Sequence, residues 1–375
     1  MNRPRVPLRK FVKEYSVRNK ANEDIPVYSV TNSQGFCTEY FGKEVASHDK
    51  TTYKIVPRGY FAYNPSRINV GSVDWQRCEE RVIVSPLYTV FSVSDEIDCQ
   101  YLYYFLRSDF GKQMIKARAS GSVRDNLKLE MLKEMTIPDI SKEEQHFCAQ
   151  ILDCLQILIQ LRKQELQKLD DLIKARFIEL FGDPVLTPNG QKVVLEEICV
   201  KITDGEHGSV ARISEGHPFL NAKHVLKNGQ IDWNAITFIG DDDHQRIYKR
   251  CNPEEGDILL TTTGTIGNVA IMPAYEEVSM DRGITLLKID HKKVTSEFVA
   301  ELLKQDSIQA EMGVNVHASA IGHLFMNKVK KLPAIIPSMD MQIEFSEFVQ
   351  QVDKSKLMEE RQVGFIAKIS QKPGR

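Results

Sequence analysis

No two of the seven cysteines stand at C-x-x-C spacing; they lie apart at positions 37, 78, 99, 148, 154, 199 and 251. Scattered thiols point to free cysteines in a reducing compartment rather than to a disulfide framework or a zinc site. No apolar run approaches the roughly 18 residues that a membrane span needs. The basic start, MNRPRVPLRKF, lacks the apolar core of a secretory signal. These absences set the expectation of a soluble, cytoplasmic protein with no membrane contact. Charge of one sign is lacking too: the formal net charge is −2. No global basicity announces a polyanion partner, although local patches decide that question more than the sum does.

Signatures of catalysis are also missing. Gly264-Thr265-Ile266-Gly267 has the wrong spacing for a dinucleotide loop and no helix after it, and no Walker sequence occurs. There is no HExxH, and the nine histidines show no zinc-like pairing with cysteine. Asn64-Pro65-Ser66-Arg67 departs from the Asn-Pro-Pro-aromatic motif with which amino-methyltransferases grip a flipped base. Asp290-His291-Lys292 has no upstream acid to complete a nuclease site, Asp241-Asp242-Asp243 reads as a solvated acidic loop, and no nucleophile elbow is found. The chain reads as non-catalytic and metal-free.

What is present starts with one stretch, Ser141 to Gly182, which contains neither glycine nor proline inside it. Apolar residues recur at Ile151, Leu155, Leu158, Leu166, Leu169, Ile173, Phe177 and Leu180 in steps of three and four, the mark of an amphipathic helix. It would run on the order of 55 Å. Ser141 with Glu144 predicts a capping box, and Gly182 followed by Pro184 predicts the stop. A helix this long with a narrow stripe needs a partner. A second one is predicted from Met339 to Ile369, with a stripe of Phe345, Val349, Val352, Lys356, Val363 and Ile366 that Gly364 weakens near its end.

The two helices close two similar stretches of chain. Before the first come β-like runs at Tyr53–Val56, Gly59–Tyr63, Arg81–Val84 and Leu87–Phe91, a helix from Tyr101 to about Lys116, and Thr136–Pro138. After Gly182 the pattern restarts, with Val193–Leu195, Gly256–Thr261, Val269–Met272, Ile284–Ile289, a helix from Phe298 to about Glu311, and Leu332–Pro337. At an offset of 197, Gln100–Asp109 falls on Glu297–Asp306, Gly59 on Gly256, Leu127 on Leu324, Lys133 on Lys330 and Gln145 on Gln342. The loop Ala117–Val123 falls on Val314–Ala320. The halves read as an internal duplication. The expected architecture is α+β: globular domains at 1–140 and 183–337 and spacer helices at 141–182 and 338–375, paired antiparallel as a coiled coil in a pseudo-twofold dumb-bell.

The most distinctive run is Gly256-Asp257-Ile258-Leu259-Leu260-Thr261-Thr262-Thr263-Gly264-Thr265-Ile266-Gly267-Asn268-Val269-Ala270. With Leu180-Phe181-Gly182-Asp183-Pro184 at the junction, and Pro138…Gln145 and Pro337…Gln342 opening the long helices, it resembles the specificity (S, HsdS) subunits of Type I restriction–modification systems. The resemblance covers nearly the whole chain. It implies two target recognition domains, each reading half of a bipartite gapped sequence in double-stranded DNA. It also implies helices that set the spacer and dock two modification (methyltransferase, HsdM) subunits, with two restriction (HsdR) subunits added for restriction. AdoMet, ATP and Mg then belong to those partners, and this chain needs no cofactor.

The residues themselves favour nucleic acid without proving it. A hydroxyl- and Gly-rich loop offers short donors to phosphates or base edges, while Thr also serves a plain strand–turn–strand through its β propensity. Thr261, Thr262, Thr263 and Thr265 are candidate contacts, with Lys201, Thr203 and His207 near the start of the second domain and Asn221 and Lys223 after them. Arg246, Lys249 and Arg250 are phosphate candidates. In the first domain the matching run carries Asn64, Arg67 and Asn69, where Arg suits guanine and Asn adenine. Arg118, Ser120 and Arg124 add a basic, small-residue loop. Two rivals stand beside this reading: a scaffold whose helices join non-DNA modules, and a degenerate DNA methyltransferase or nuclease.

Overall fold

Helix signals and strand signals alternate along the chain, and the molecule divides accordingly into two units that each carry both. The computed structural model describes residues 3–38, 49–119, 126–186, 192–315 and 322–370. One unit comprises Met1–Gln164 with Glu360–Arg375, the other Glu165–Glu359. Among the described residues no helix is long and apolar enough to cross a membrane.

In the first unit a four-stranded antiparallel sheet runs in the order Val12–Tyr15, Thr89–Val93, Phe61–Tyr63, Val73–Trp75. Phe61 and Phe91 stack at 5.0 Å and are fully buried against Leu102, Phe105 and Leu106 of a helix at Cys99–Arg107. In the second unit the equivalent sheet runs Cys199–Asp204, Ile284–Ile289, Ile258–Thr261, Val269–Ile271, over Phe298, Leu302 and Leu303 of a helix at Ser296–Lys304. Each unit also closes with a short pair joining its first strand to its last, Arg5–Pro7 with Thr136–Pro138 and Lys192–Val194 with Pro333–Ile335.

The duplication is carried into the element boundaries. Adding 197 to the helix and strand starts at Cys99, Asp109, Leu129, Thr136 and Lys142 gives Ser296, Asp306, Met326, Pro333 and Met339, where the second set starts. Two predicted helices are each broken once. Tyr101–Lys116 becomes Cys99–Arg107 and Asp109–Arg118, because Ser108 leaves the helical conformation and its hydroxyl accepts the Gly111 N–H at 3.0 Å. Phe298–Glu311 likewise breaks at Gln305, between Ser296–Lys304 and Asp306–Val314.

The first long helix runs Lys142–Phe181 and the second Met339–Ser370, unbroken through Gly364. The capping box is formed: Glu144 N–H donates to Ser141 Oγ and Ser141 N–H to Glu144 Oε2, both at 3.2 Å. Gly182 ends the helix at φ +75°, where only glycine is unstrained. Just inside each helix a glutamine ties its start to the domain. Gln145 accepts from Asp98 N–H at 2.8 Å and donates to the carbonyls of Glu96 and Ile140 at 3.3 and 3.1 Å. Gln342 accepts from Thr295 N–H at 2.9 Å and donates to Lys293 and Pro337 at 2.9 and 3.0 Å, the same three partners 197 residues on. Both amides are buried.

Within the second unit the long helices lie antiparallel. Asp170 meets Lys356 while Arg176, further along, meets Glu344 earlier in the other helix. Phe177 and Phe181 pack on Phe345 and Phe298, with Ile173, Val349 and Val352 buried beside them. The predicted stripe therefore holds from Leu169 to Leu180, with Leu166 half-buried ahead of it. Its earlier part is corrected: Ile151 and Leu158 are exposed, whereas Ala149 and Leu152 are buried. Gln145 is fixed inward, and Ala149 follows it one turn later on the same face.

Lys356 sits at a stripe position because its ammonium has partners, Asp170 Oδ1 at 2.7 Å and Asp353 Oδ1 at 3.1 Å. Burial pulls its pKa down, but the two carboxylates outweigh this and hold it above its ordinary 10.5. A raised folded pKa contributes stability that is complete below about pH 10.5 and lost as pH climbs through the folded value. Urea denaturation across pH 9–12 is expected to show this loss in the native protein and a shallower one in Lys356→Met. Identical slopes would remove Lys356 as its source.

Candidate nucleic-acid interface

In the second unit the strand Ile258–Thr261 runs into a loop that returns to the strand Val269–Ile271. Gly264 and Gly267 turn it at φ +77° and +91°. Thr261 closes it: its hydroxyl donates to the Thr265 carbonyl and accepts the Asn268 N–H at 2.9 Å. Thr262 faces Gly283 O and the Thr285 hydroxyl at 3.4 and 3.3 Å. Both side chains are buried, so the structure places these two threonines as braces of the loop rather than on its surface. Thr263 pairs with His323 Nδ1 at 2.7 Å, and Thr265 is exposed.

A second candidate stretch lies alongside. Asn268 Nδ2 donates to Val225 O at 2.8 Å and Thr265 Oγ1 reaches Ala222 O at 3.5 Å, which brings the Asn221–Lys223 turn against the threonine loop. Asn221 Oδ1 is buried with no hydrogen-bond partner among the described residues, and Lys223 is exposed. Burial, with the charge of Lys223 next to it, holds the His224 imidazole below its ordinary pKa.

The other basic candidates of this unit gather around Gly205, whose missing side chain lets the backbone press on the carbonyls of Met280 and Asp281. Lys201 Nζ donates to Arg250 O at 2.6 Å, and Thr203 is half-buried beside it on the same strand. His207 holds Asp204 Oδ2 at 2.6 Å. Arg246 is tied to Glu206 and, at 2.7 Å, to Asp243; Arg250 lies 3.7 Å from Asp204. The Gly208 N–H, ahead of Arg246, keeps the Glu206 carboxyl below its ordinary range. Arg246 and Arg250 thus face carboxylates and Lys201 a carbonyl, and the partners Glu206 and Asp204 lie some forty residues away in the sequence. Arg282 stands between the two clusters: its N–H donates to Glu206 O at 3.0 Å, and the neighbouring Gly283 O accepts from Thr262 N–H at 2.8 Å. Its exposed side chain has no salt bridge among the described residues.

The first unit presents the equivalent loop at 64–71. Leu127 N–H donates to Pro65 O at 3.1 Å and Leu324 N–H to Thr262 O at 2.9 Å, the same bond displaced by 197 at both ends. Asn64 Oδ1 accepts from the Ser66 N–H and hydroxyl at 3.1 and 2.9 Å, Arg67 is exposed, and Asn69 lies half-buried in a turn that Gly71 closes at φ +96°. Arg118 is half-buried, with Nη1 to Met114 O at 3.3 Å. Ser120 and Arg124 lie outside the described residues, as does most of the matched pair 117–123 and 314–320.

Four side chains beside these loops escape sequence reasoning: Arg107, Gln309, Arg282 and His323. Arg107 and Gln309 sit in helices whose periodicity speaks only of the core. Gln309 shares its offset with Lys112, which also approaches the loop.

The profile of the family described as the Type I restriction modification DNA specificity domain matches residues 9–171 and again 201–363. The chain is similar to the type I restriction enzyme MjaIX specificity subunit of Methanocaldococcus jannaschii, 23% identical over 302 residues, 73% of this chain and 67% of that protein. The EcoBI specificity subunit of Escherichia coli is 21% identical over 346 residues, 83% of this chain and 72% of that protein. In fold the chain is similar, with a TM-score of 0.59 at 14% identity, to a chain solved in a study of complex assembly and conformational transition of the type I restriction–modification system. That match covers 99% of this chain and 96% of that one.

Proposed function

We propose, from the premise that this chain belongs to the type I restriction–modification DNA specificity family, that it reads a two-part gapped sequence in double-stranded DNA. The observation that carries this is the duplication at the level of the loops. The same strand-to-glycine loop occurs twice, backed by Leu127 in one unit and Leu324 in the other, with different exposed side chains in each. Two similar frames with unlike readers suit two unlike half-sites.

In the first recognition domain (1–140) Arg67, Asn64 and Asn69 offer guanine- and adenine-reading groups, with Arg118, Ser120 and Arg124 toward phosphates. In the second (183–337) Thr263, Thr265, Asn221 and Lys223 are the readers, Arg282 a further phosphate contact, and Thr261 and Thr262 shape the loop. Lys201, Thr203 and His207 form its flank, where Arg246 and Arg250 must exchange acid partners for phosphate. The long helices set the gap and dock two methyltransferase subunits, with two restriction subunits where DNA is cut. AdoMet, ATP and Mg act on those partners, and this chain contributes no catalytic group.

The test is co-expression with the methyltransferase subunit followed by genome-wide mapping of methylated adenine. A gapped, asymmetric two-part motif is expected. A continuous palindrome would overturn the two-domain reading, and methylation without sequence preference would favour a scaffold. Methyl transfer by the isolated chain would make it an enzyme.

A further inference from the structure

Each recognition loop ends on a left-handed glycine, and in each unit a side chain from the following helix pair holds that glycine's carbonyl. In the second unit Gln309 Nε2 donates to Gly267 O at 2.9 Å while also capping Leu303 O at 2.7 Å. In the first unit Arg107 Nη1 donates to Gly71 O at 3.1 Å and Nη2 to Asn32 O at 2.5 Å, with its guanidinium 5.1 Å above the Tyr103 ring. Each held carbonyl lies two residues before the return strand, Gly71 before Val73 and Gly267 before Val269, but the side chains that hold them differ. Lys112, 197 residues before Gln309, lays its stem 3.8 Å from where a Gly71 side chain would begin. Lys304, 197 residues after Arg107, is paired instead with Glu301 at 2.7 Å.

We propose that Arg107 and Gln309 are positioning residues: by clamping the last carbonyl of its loop, each sets the sequence discrimination of its own half-site. The idea rests on the recognition reading above. Each loop is braced near its start by backbone bonds, Leu127 N–H to Pro65 O and Leu324 N–H to Thr262 O, and the clamped carbonyl is where a side chain of the helix pair ties its far end. Arg67 and Asn69, or Thr263 and Thr265, lie between those points. Direct readout requires donors placed to a fraction of an ångström, because hydrogen bonds weaken steeply with angle. Both clamps are half-buried and outside the apolar cores, so removing one frees a loop end without opening a core cavity. Having different clamps lets one loop change without the other.

The experiment uses the complex with its methyltransferase subunits and compares methylation motifs for the native chain, Arg107→Met, Arg107→Lys and Gln309→Leu, with thermal unfolding of each complex. Arg107→Met is expected to relax one half of the motif by roughly tenfold at one or two base positions, leaving the other half and the gap unchanged. Gln309→Leu should relax the opposite half, and Arg107→Lys, which keeps one donor, should fall between native and Met. The proposal is overturned if methylation falls at all sites with the motif intact, if both halves degrade together, or if both Arg107 variants fail to assemble. A native motif that is not gapped sinks the recognition reading itself; a gapped motif unchanged in every variant sinks the clamps alone.

Discussion

Phe177→Ala is expected to destabilise the second unit by about 3–5 kcal/mol, the usual cost of deleting a buried aromatic ring. Phe177 is fully buried and touches three rings: Phe181 at 5.0 Å, Phe298 at 5.4 Å and Phe345 at 5.6 Å. Those rings belong to both long helices and to the helix that backs the four-stranded sheet. One substitution therefore loosens the helix pairing and the domain core together. Edge-to-face and stacked pairs contribute beyond buried area, which places the loss toward the upper end. Phe177→Leu keeps most of the volume and should cost less than half as much. Guanidinium denaturation followed by a probe in the second unit measures both. A loss below about 1 kcal/mol for the alanine variant would mean that the cluster collapses around the gap.

Lengthening the first long helix by four residues near Arg162 is expected to widen the gap of the recognised motif by about two base pairs, with both halves unchanged. Residues 142–164 belong to one unit and 165–181 to the other, in one continuous helix. Four residues add roughly one turn, about 6 Å of axis, against about 3.4 Å per base pair of DNA. A full turn keeps the buried stripe on nearly the same face, so the pairing around Phe177 survives. Methylation mapping reads the result directly. A motif with altered bases and an unchanged gap would show that helix length does not set the spacing.

Much of this fold is legible in the sequence because the duplication repeats local signals. The 197-residue offset, visible in Gly59, Leu127, Lys133 and Gln145, recovers element starts that neither half gives alone. Ser141, Glu144 and Gly182 mark the first long helix because caps are short-range chemistry. The breaks at Ser108 and Gln305 are hidden because apolar periodicity runs through them. Ile151 and Leu158 look like core because nothing local says that Gln145 is buried. The candidate site is less legible. Thr261 and Thr262 fit a binding loop by composition, yet their hydroxyls close it from within. Arg246 and Arg250 read as free charges in the sequence, whereas Glu206 and Asp204 meet them from some forty residues earlier. Arg107 and Gln309 bond to backbone carbonyls, and such bonds leave no residue pair to read.

Gln145 and Gln342 give the two long helices a common origin. Each amide joins the loop before the helix, the strand exit and the helix start into one rigid corner. Both helices therefore start from an equivalent corner in the two copies. On the proposed function, a loop can change the bases it reads while the corner from which its helix is measured stays the same.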